Sequence, residues 1–158
     1  MITDVTAPGF EAFVEQTWSL LLVSEDDEGQ LTGVTVLAVA DRLNGGGTVL
    51  VLPPEAPSGT RTLVGAHEAA GVDGLRDAVV DILDAEVTNT ALLTPPRLRS
   101  LAEPAGTVRV PIDDASVAGA EAPDYLGLSF DDPLQRVARQ EAWWRAWLAT
   151  VGAASDPA

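Results

Sequence analysis

Three short apolar runs set the pattern of the chain: Trp18–Val23, Val34–Ala40 and Thr48–Leu52. Each is rich in leucine or β-branched side chains, and each ends at turn-forming residues. Glu25-Asp-Asp-Glu-Gly29 follows the first, Asp41 to Gly47 with its Asn44-Gly-Gly-Gly47 follows the second, and Pro53-Pro54 stops the third. Runs of this length with these flanks predict buried strands. The gap after Ala40 suits an antiparallel hairpin. Near-continuous apolarity, without alternation, predicts a sheet covered on both faces.

The covering elements lie around these strands. Residues 7–17 predict a short helix, capped by Thr6 and with Pro8 near its first turn, that puts Phe10, Phe13 and Val14 on one face. Arg61–Val64 reads as a brief edge strand. Asp73–Asp84 predicts an amphipathic helix with Asp73 as N-cap and a stripe of Leu75, Val79, Ile82 and Leu83. Val87–Leu93 predicts a strand and Arg97–Glu103 a short helix. Thr107–Ile112 alternates as a half-buried strand, with Pro111 marking an edge, and residues 113–124 read as loop. The last helix has the clearest start: Asp132 caps, Pro133 takes the first position and Gln135 completes a capping box. Its apolar stripe runs from Leu134 through Val137, Ala138, Trp144 and Leu148 to Val151, interrupted only by Glu141. Trp143 and Trp147 lie beside it, and the helix is expected to end near Thr150. The expected architecture is a single α/β domain over residues 1–151, a mixed central β-sheet flanked by helices on both faces, with a disordered tail over 152–158.

Composition narrows the function classes. The 158 residues are 46% hydrophobic, enough for a sizeable core. Twenty-four acids against nine bases give a net charge of −15, and every base is arginine. Such a surface repels nucleic acid and anionic membrane, so neither is expected as a partner. The absence of cysteine excludes disulfides and thiolate metal sites. No apolar run approaches the ~18 residues of a membrane span. The first residues have no signal-peptide pattern. The chain as given therefore reads as soluble, with membrane contact only through an anchor outside it. Arginine without lysine, with much alanine and glycine, suits the high-GC genome of an actinobacterium-like organism.

Few residues suggest chemistry on their own. His67 is the single histidine, and its Gly/Ala-rich context favours a structural or solvent-facing role over a catalytic triad. Glu25-Asp26-Asp27-Glu28 offers oxygen ligands for a divalent cation, but lacks the alternating spacing of a calcium loop and reads first as a solvated connection. Asp131-Asp132 reads first as a helix start and only second as a ligand pair. Gly45–Gly47 has no following Lys-Ser/Thr and opens no helix, so it reads as a turn and not a phosphate loop. Trp143 and Trp147 either edge the core around Trp144 or line a groove for a partner or lipid chain.

The order of elements resembles the LytR-CpsA-Psr (LCP) domain of bacterial cell-envelope proteins. Leu20 to Gly29 with the two strands after it is similar to the family's opening strands. Ala70-Gly-Val-Asp-Gly-Leu-Arg-Asp-Ala-Val-Val-Asp-Ile-Leu83 resembles its next helix, and Phe130 to Gln140 resembles its final helix start. The resemblance covers about residues 18–150. It implies transfer of a glycopolymer from a polyprenyl diphosphate carrier, with magnesium and several arginines holding the diphosphate and a hydrophobic channel taking the lipid. Position by position, most of that clamp is missing. The family's arginine and aspartate before the second strand fall on Leu31 and Gly33, its arginine after the third strand falls within Pro53-Pro54-Glu55, and its Tyr-x-Arg-x-Arg strand falls near Tyr125–Ser129. Arg136, Arg139 and Gln140 remain as candidate substrate-binding residues, and Glu25 or Asp26 stands nearest the family's first metal ligand.

The resemblance thus implies a catalytically degenerate LCP-like module that binds or scaffolds in the bacterial envelope, on the extracytoplasmic side. No catalytic residue and no cofactor are assigned, and the partner is a protein or an envelope lipid or glycan. The alternatives are an active transferase using Mg²⁺ and a cytoplasmic protein-protein interaction domain on the same fold.

Overall fold

A computed structural model describes residues 17–39 and 46–155. The predicted helix at 7–17, apart from its last residue, and most of the turn at 41–47 lie outside them. The strands are β1 (Trp18–Glu25), β2 (Leu31–Val39), β3 (Gly47–Leu52) and the two-residue β4 (Pro57–Ser58) and β5 (Arg61–Thr62). Helix α1 (Leu63–Leu83) precedes β6 (Asn89–Leu93), α2 (Pro95–Ala102), β7 (Thr107–Val110), β8 (Ala115–Ala118), α3 (Ala122–Leu126) and α4 (Pro133–Ser155).

The central sheet has the order β3-β2-β1-β6. The pairs β1/β2 and β2/β3 are antiparallel, and β1/β6 is parallel, so the sheet is mixed. Val39 opposes Gly47, the hairpin expected from the glycine run. Alternation along each strand serves two cores. Leu21, Val23, Val34 and Val36 pack under α1 against Leu63, Leu75 and Val79. Leu22, Val49, Val51 and Leu93 pack on the other face against Trp143 and Trp144 of α4 and the valines of the β7–β8 ribbon. This is the doubly covered sheet the apolar runs predicted, and it explains why those strands do not alternate with polar residues.

Four local readings need correction. Leu63 and Val64 are not strand: they open α1, which Thr62 caps through its Oγ1, 3.1 Å from the Gly65 amide. Asp73 therefore does not cap the helix. It lies just past a kink where Ala70 and Gly71 leave helical geometry, Gly71 at φ 65°. Residues 113–124 are not all loop, since they contain β8 and the start of α3. Helix α4 continues past Thr150 to Ser155, through residues expected in the tail.

The face of α4 is also rotated from the predicted stripe. Leu134 and Leu148 are exposed, whereas Gln140, Trp143 and Trp144 are buried and Arg136 and Trp147 half-buried. Asp132 still starts the helix as expected, accepting the Leu134 amide at 2.9 Å.

Candidate functional site

The residues carried by the family resemblance converge where α4 begins, beside the carboxyl end of β1 and the chain after β3. Gln140 is 3% exposed and reaches across to two backbone carbonyls. Its Nε2 donates to Thr32 O at 3.0 Å and to Leu126 O at 2.8 Å. A bulge makes this possible: register shifts between Ser24, opposite Gly33, and Glu25, opposite Leu31. Gly33 supplies the room, because a Cβ there would stand 3.3 Å from Gln140 Nε2 and 3.4 Å from its Oε1.

The two arginines are held by the chain's own acids. Arg136 Nη2 donates to both carboxylate oxygens of Glu55, at 2.5 and 2.8 Å. Partial burial pushes the Glu55 carboxyl up, but the hydrogen bond and charge of Arg136 outweigh it, so it sits below the usual carboxylate range. Arg139 Nη2 lies 3.0 Å from Asp113 Oδ2, with its guanidinium 5.0 Å from the Tyr125 ring centre and 4.7 Å from that of Phe130.

The Tyr125 hydroxyl donates to the same carboxylate, at 3.2 and 3.1 Å. Burial, the charge of Asp113 and that hydrogen bond push the phenol up to about 12, against the opposing charge of Arg139. A raised pKa in the folded chain means this contribution to stability is complete below the unfolded value of ~10 and is lost as pH rises toward 12. Tyr125 is the only tyrosine, so absorbance at alkaline pH reads it directly. We expect its midpoint at about 12 in the native chain and a lower one in Asp113→Asn. A native midpoint near ~10 with folded circular dichroism contradicts this geometry.

The acid run forms one wall of a cleft of about 380 Å³ next to the bulge, with Asp124 and Arg99 also lining it. Its side chains are partly engaged. Glu25 Oε1 lies 2.7 Å from His67 Nε2, and this pair, 15% and 9% exposed, ties β1 to α1. The single histidine is thus structural, as expected. Asp26 Oδ1 accepts the amides of Glu28 and Gln30 at 3.0 and 2.7 Å, bracing the turn. Among the described residues no group of three or more His, Asp or Glu is placed to hold a metal ion.

Trp143 does not line a groove. It is fully buried, edge-on to Trp144 at 4.9 Å and stacked on Trp147 at 6.2 Å, while Trp147 packs against the same core. Sequence reasoning missed Glu55 and Asp113, the acids that occupy the two arginines. No local signal marks them, since they lie 81 and 26 positions from their partners.

A mixed four-stranded sheet with helices on both faces, and a last helix bringing Arg-x-x-Arg-Gln to the end of the sheet, defines this chain as having the LytR-CpsA-Psr fold. The particular structures it is similar to make that concrete. Bacillus subtilis TagT aligns with a TM-score of 0.69 at 18% identity, over 89% of this chain and 68% of that one. TagT bound to LIIa-WTA aligns at 0.73 and 18%, over 89% and 66%. The LytR-CPS2A-psr family protein YwtF (TagT) with bound octaprenyl pyrophosphate lipid aligns at 0.69 and 17%, over 90% and 69%. The chain thus spans about two thirds of the length of these proteins. No protein-family model and no curated protein matches it.

Proposed function

We propose that this chain is a non-catalytic member of the LCP family, a module that binds or scaffolds glycan or lipid in the bacterial envelope without cleaving a diphosphate. One observation carries the reading: each arginine at the start of α4 that the resemblance assigns to the diphosphate is already paired with a carboxylate, Arg136 with Glu55 and Arg139 with Asp113. Transfer from a diphosphate carrier builds negative charge on the leaving group, and unpaired cations must meet it. Here the nearby cleft carries five acids, Glu25, Asp26, Asp27, Glu28 and Asp124, against the single cation Arg99, which raises the cost of bringing in that charge. The extracytoplasmic setting and the glycan or lipid class of partner rest on the likeness to TagT, including its forms bound to LIIa-WTA and to octaprenyl pyrophosphate.

Calorimetric titration with octaprenyl pyrophosphate and with inorganic pyrophosphate, each with Mg²⁺, tests this. We expect no micromolar binding to either. Micromolar binding that Arg136→Ala abolishes would instead establish an active clamp. It would show that Glu55 yields its arginine to the ligand.

A further inference from the structure

Glu55 and His67 lie close in sequence, and each holds a residue that the family resemblance assigns to ligand: Glu55 holds Arg136 and His67 holds Glu25. The backbone joins the two holders. Leu63 N donates to Ala56 O at 3.0 Å and Val64 N to Pro54 O at 2.9 Å, so the residues on either side of Glu55 are bonded to the first turn of α1. His67 stands one turn further along that helix, on the same face as Leu63. Between the two, β4 and β5 pair Pro57 with Thr62 and Ser58 with Arg61. Beyond His67, Ala70 and Gly71 leave helical geometry and set this turn apart from the rest of α1. Residues 53–69 thus form one hydrogen-bonded strap beside the carboxyl ends of β1 and β3. We propose that this strap is autoinhibitory: it closes the site at the start of α4 against anions through two latches that open together.

The inference deepens the function proposed above and rests on it, since Arg136 is taken as the residue an anion would meet. The two latches differ in kind. Glu55 is 52% exposed, so water screens its pair with Arg136, whereas His67 and Glu25 are 9% and 15% exposed and hold more firmly. An anion that takes Arg136 leaves the Glu55 carboxylate beside it, fixed by the bonds to Pro54 O and Ala56 O. The repulsion between the two is relieved only when the strap shifts. Leu63, fully buried under the sheet, and Ser58 Oγ, 3.3 Å from Ala78 O, keep the inner side of the strap in place. His67 therefore limits how far the outer side moves. Apparent affinity for an anion falls by the fraction of molecules with the strap open, so loosening either latch raises it.

Titration with inorganic pyrophosphate in the absence of metal, followed by backbone amide shifts, tests the strap. Glu55→Gln should tighten binding about tenfold or more, as release of a charge-assisted hydrogen bond implies. His67→Ala changes no group that meets the anion and adds no positive charge. It should still tighten binding about fivefold or more, the lower end of coupling between separate sites. In Glu55→Gln the amides of residues 66–69 should also lose protection from hydrogen exchange. Native affinity in Glu55→Gln, or in a folded His67→Ala, overturns the strap. Where circular dichroism shows His67→Ala unfolded, unchanged exchange at residues 66–69 in Glu55→Gln overturns it instead. The strap and the function it rests on fail separately. Micromolar pyrophosphate binding by the native chain, tightened further in His67→Ala, removes only the non-catalytic reading. Weak and equal binding by the native chain and His67→Ala removes only the strap.

Discussion

Trp143→Ala is expected to cost about 3–5 kcal/mol of unfolding free energy, the largest loss we anticipate from any single change on α4. Trp143 is fully exposed to neighbours and not at all to water: Trp144 meets its edge and Trp147 stacks on its face. It belongs to the core that joins α4 to Leu22, Val49 and Val51 of the sheet and to Val108, Val110 and Val117 of the ribbon. Deleting the indole loses its transfer free energy and leaves a void that three separate elements cannot all close. For a domain of this size each kcal/mol lowers the melting temperature by roughly 2–4 °C. Chemical denaturation of Trp143→Ala beside Trp147→Ala checks the claim, because Trp147 is only half-buried. Equal losses from the two variants would mean that Trp143 is not the anchor described.

Gln140→Leu should come next, at about 2–4 kcal/mol, although the side chains are close in size. The leucine removes both donated hydrogen bonds and strands the carbonyls of Thr32 and Leu126, one in a buried and one in a half-buried setting. Part of the loss is offset, because Gln140 Oε1 has no partner in the native arrangement and leucine removes that orphaned acceptor. Gln140→Glu separates donor loss from packing. A carboxylate at this position would face two carbonyl oxygens while buried, so its folded pKa must lie above the unfolded ~4.3. The variant should then recover stability relative to the native chain as pH falls toward 4 and lose it as pH rises, read from paired denaturation curves. A cost under ~0.5 kcal/mol for the leucine variant would show that Gln140 does not brace the bulge.

How much of this was legible in the chain depended on whether the signal was local. The strands β1, β2 and β3 are bounded by turn residues within a few positions, so their existence and the hairpin were readable. The strand β8, Ala-Ser-Val-Ala, has small side chains and no β-branched run, and it forms because it pairs with β7. The first half of α1 was hidden by Gly65 and Gly71, which lower helix propensity, and it is stabilised by packing Leu63 under the sheet. Helix α4 misled by its buried polar side chains: a purely apolar stripe excludes Arg136 and Gln140, which in fact point inward to Glu55 and to two carbonyls. At the site, sequence located the three residues on α4. Their partners came only from the tertiary arrangement, and those partners decide whether an arginine remains available to a ligand.

The parallel seam has a consequence for the order in which the molecule assembles. The meander of β1, β2 and β3 needs only short connections, whereas β1 pairs Leu20 with Asn89 across all of α1. Loop closure of that length carries a larger entropic cost, so β6 should dock after the meander has formed. In pulse-labelled exchange during refolding, amides of Val34–Val36 should gain protection before those of Thr90–Leu92, leaving the β1 edge transiently open to pairing with another nascent chain.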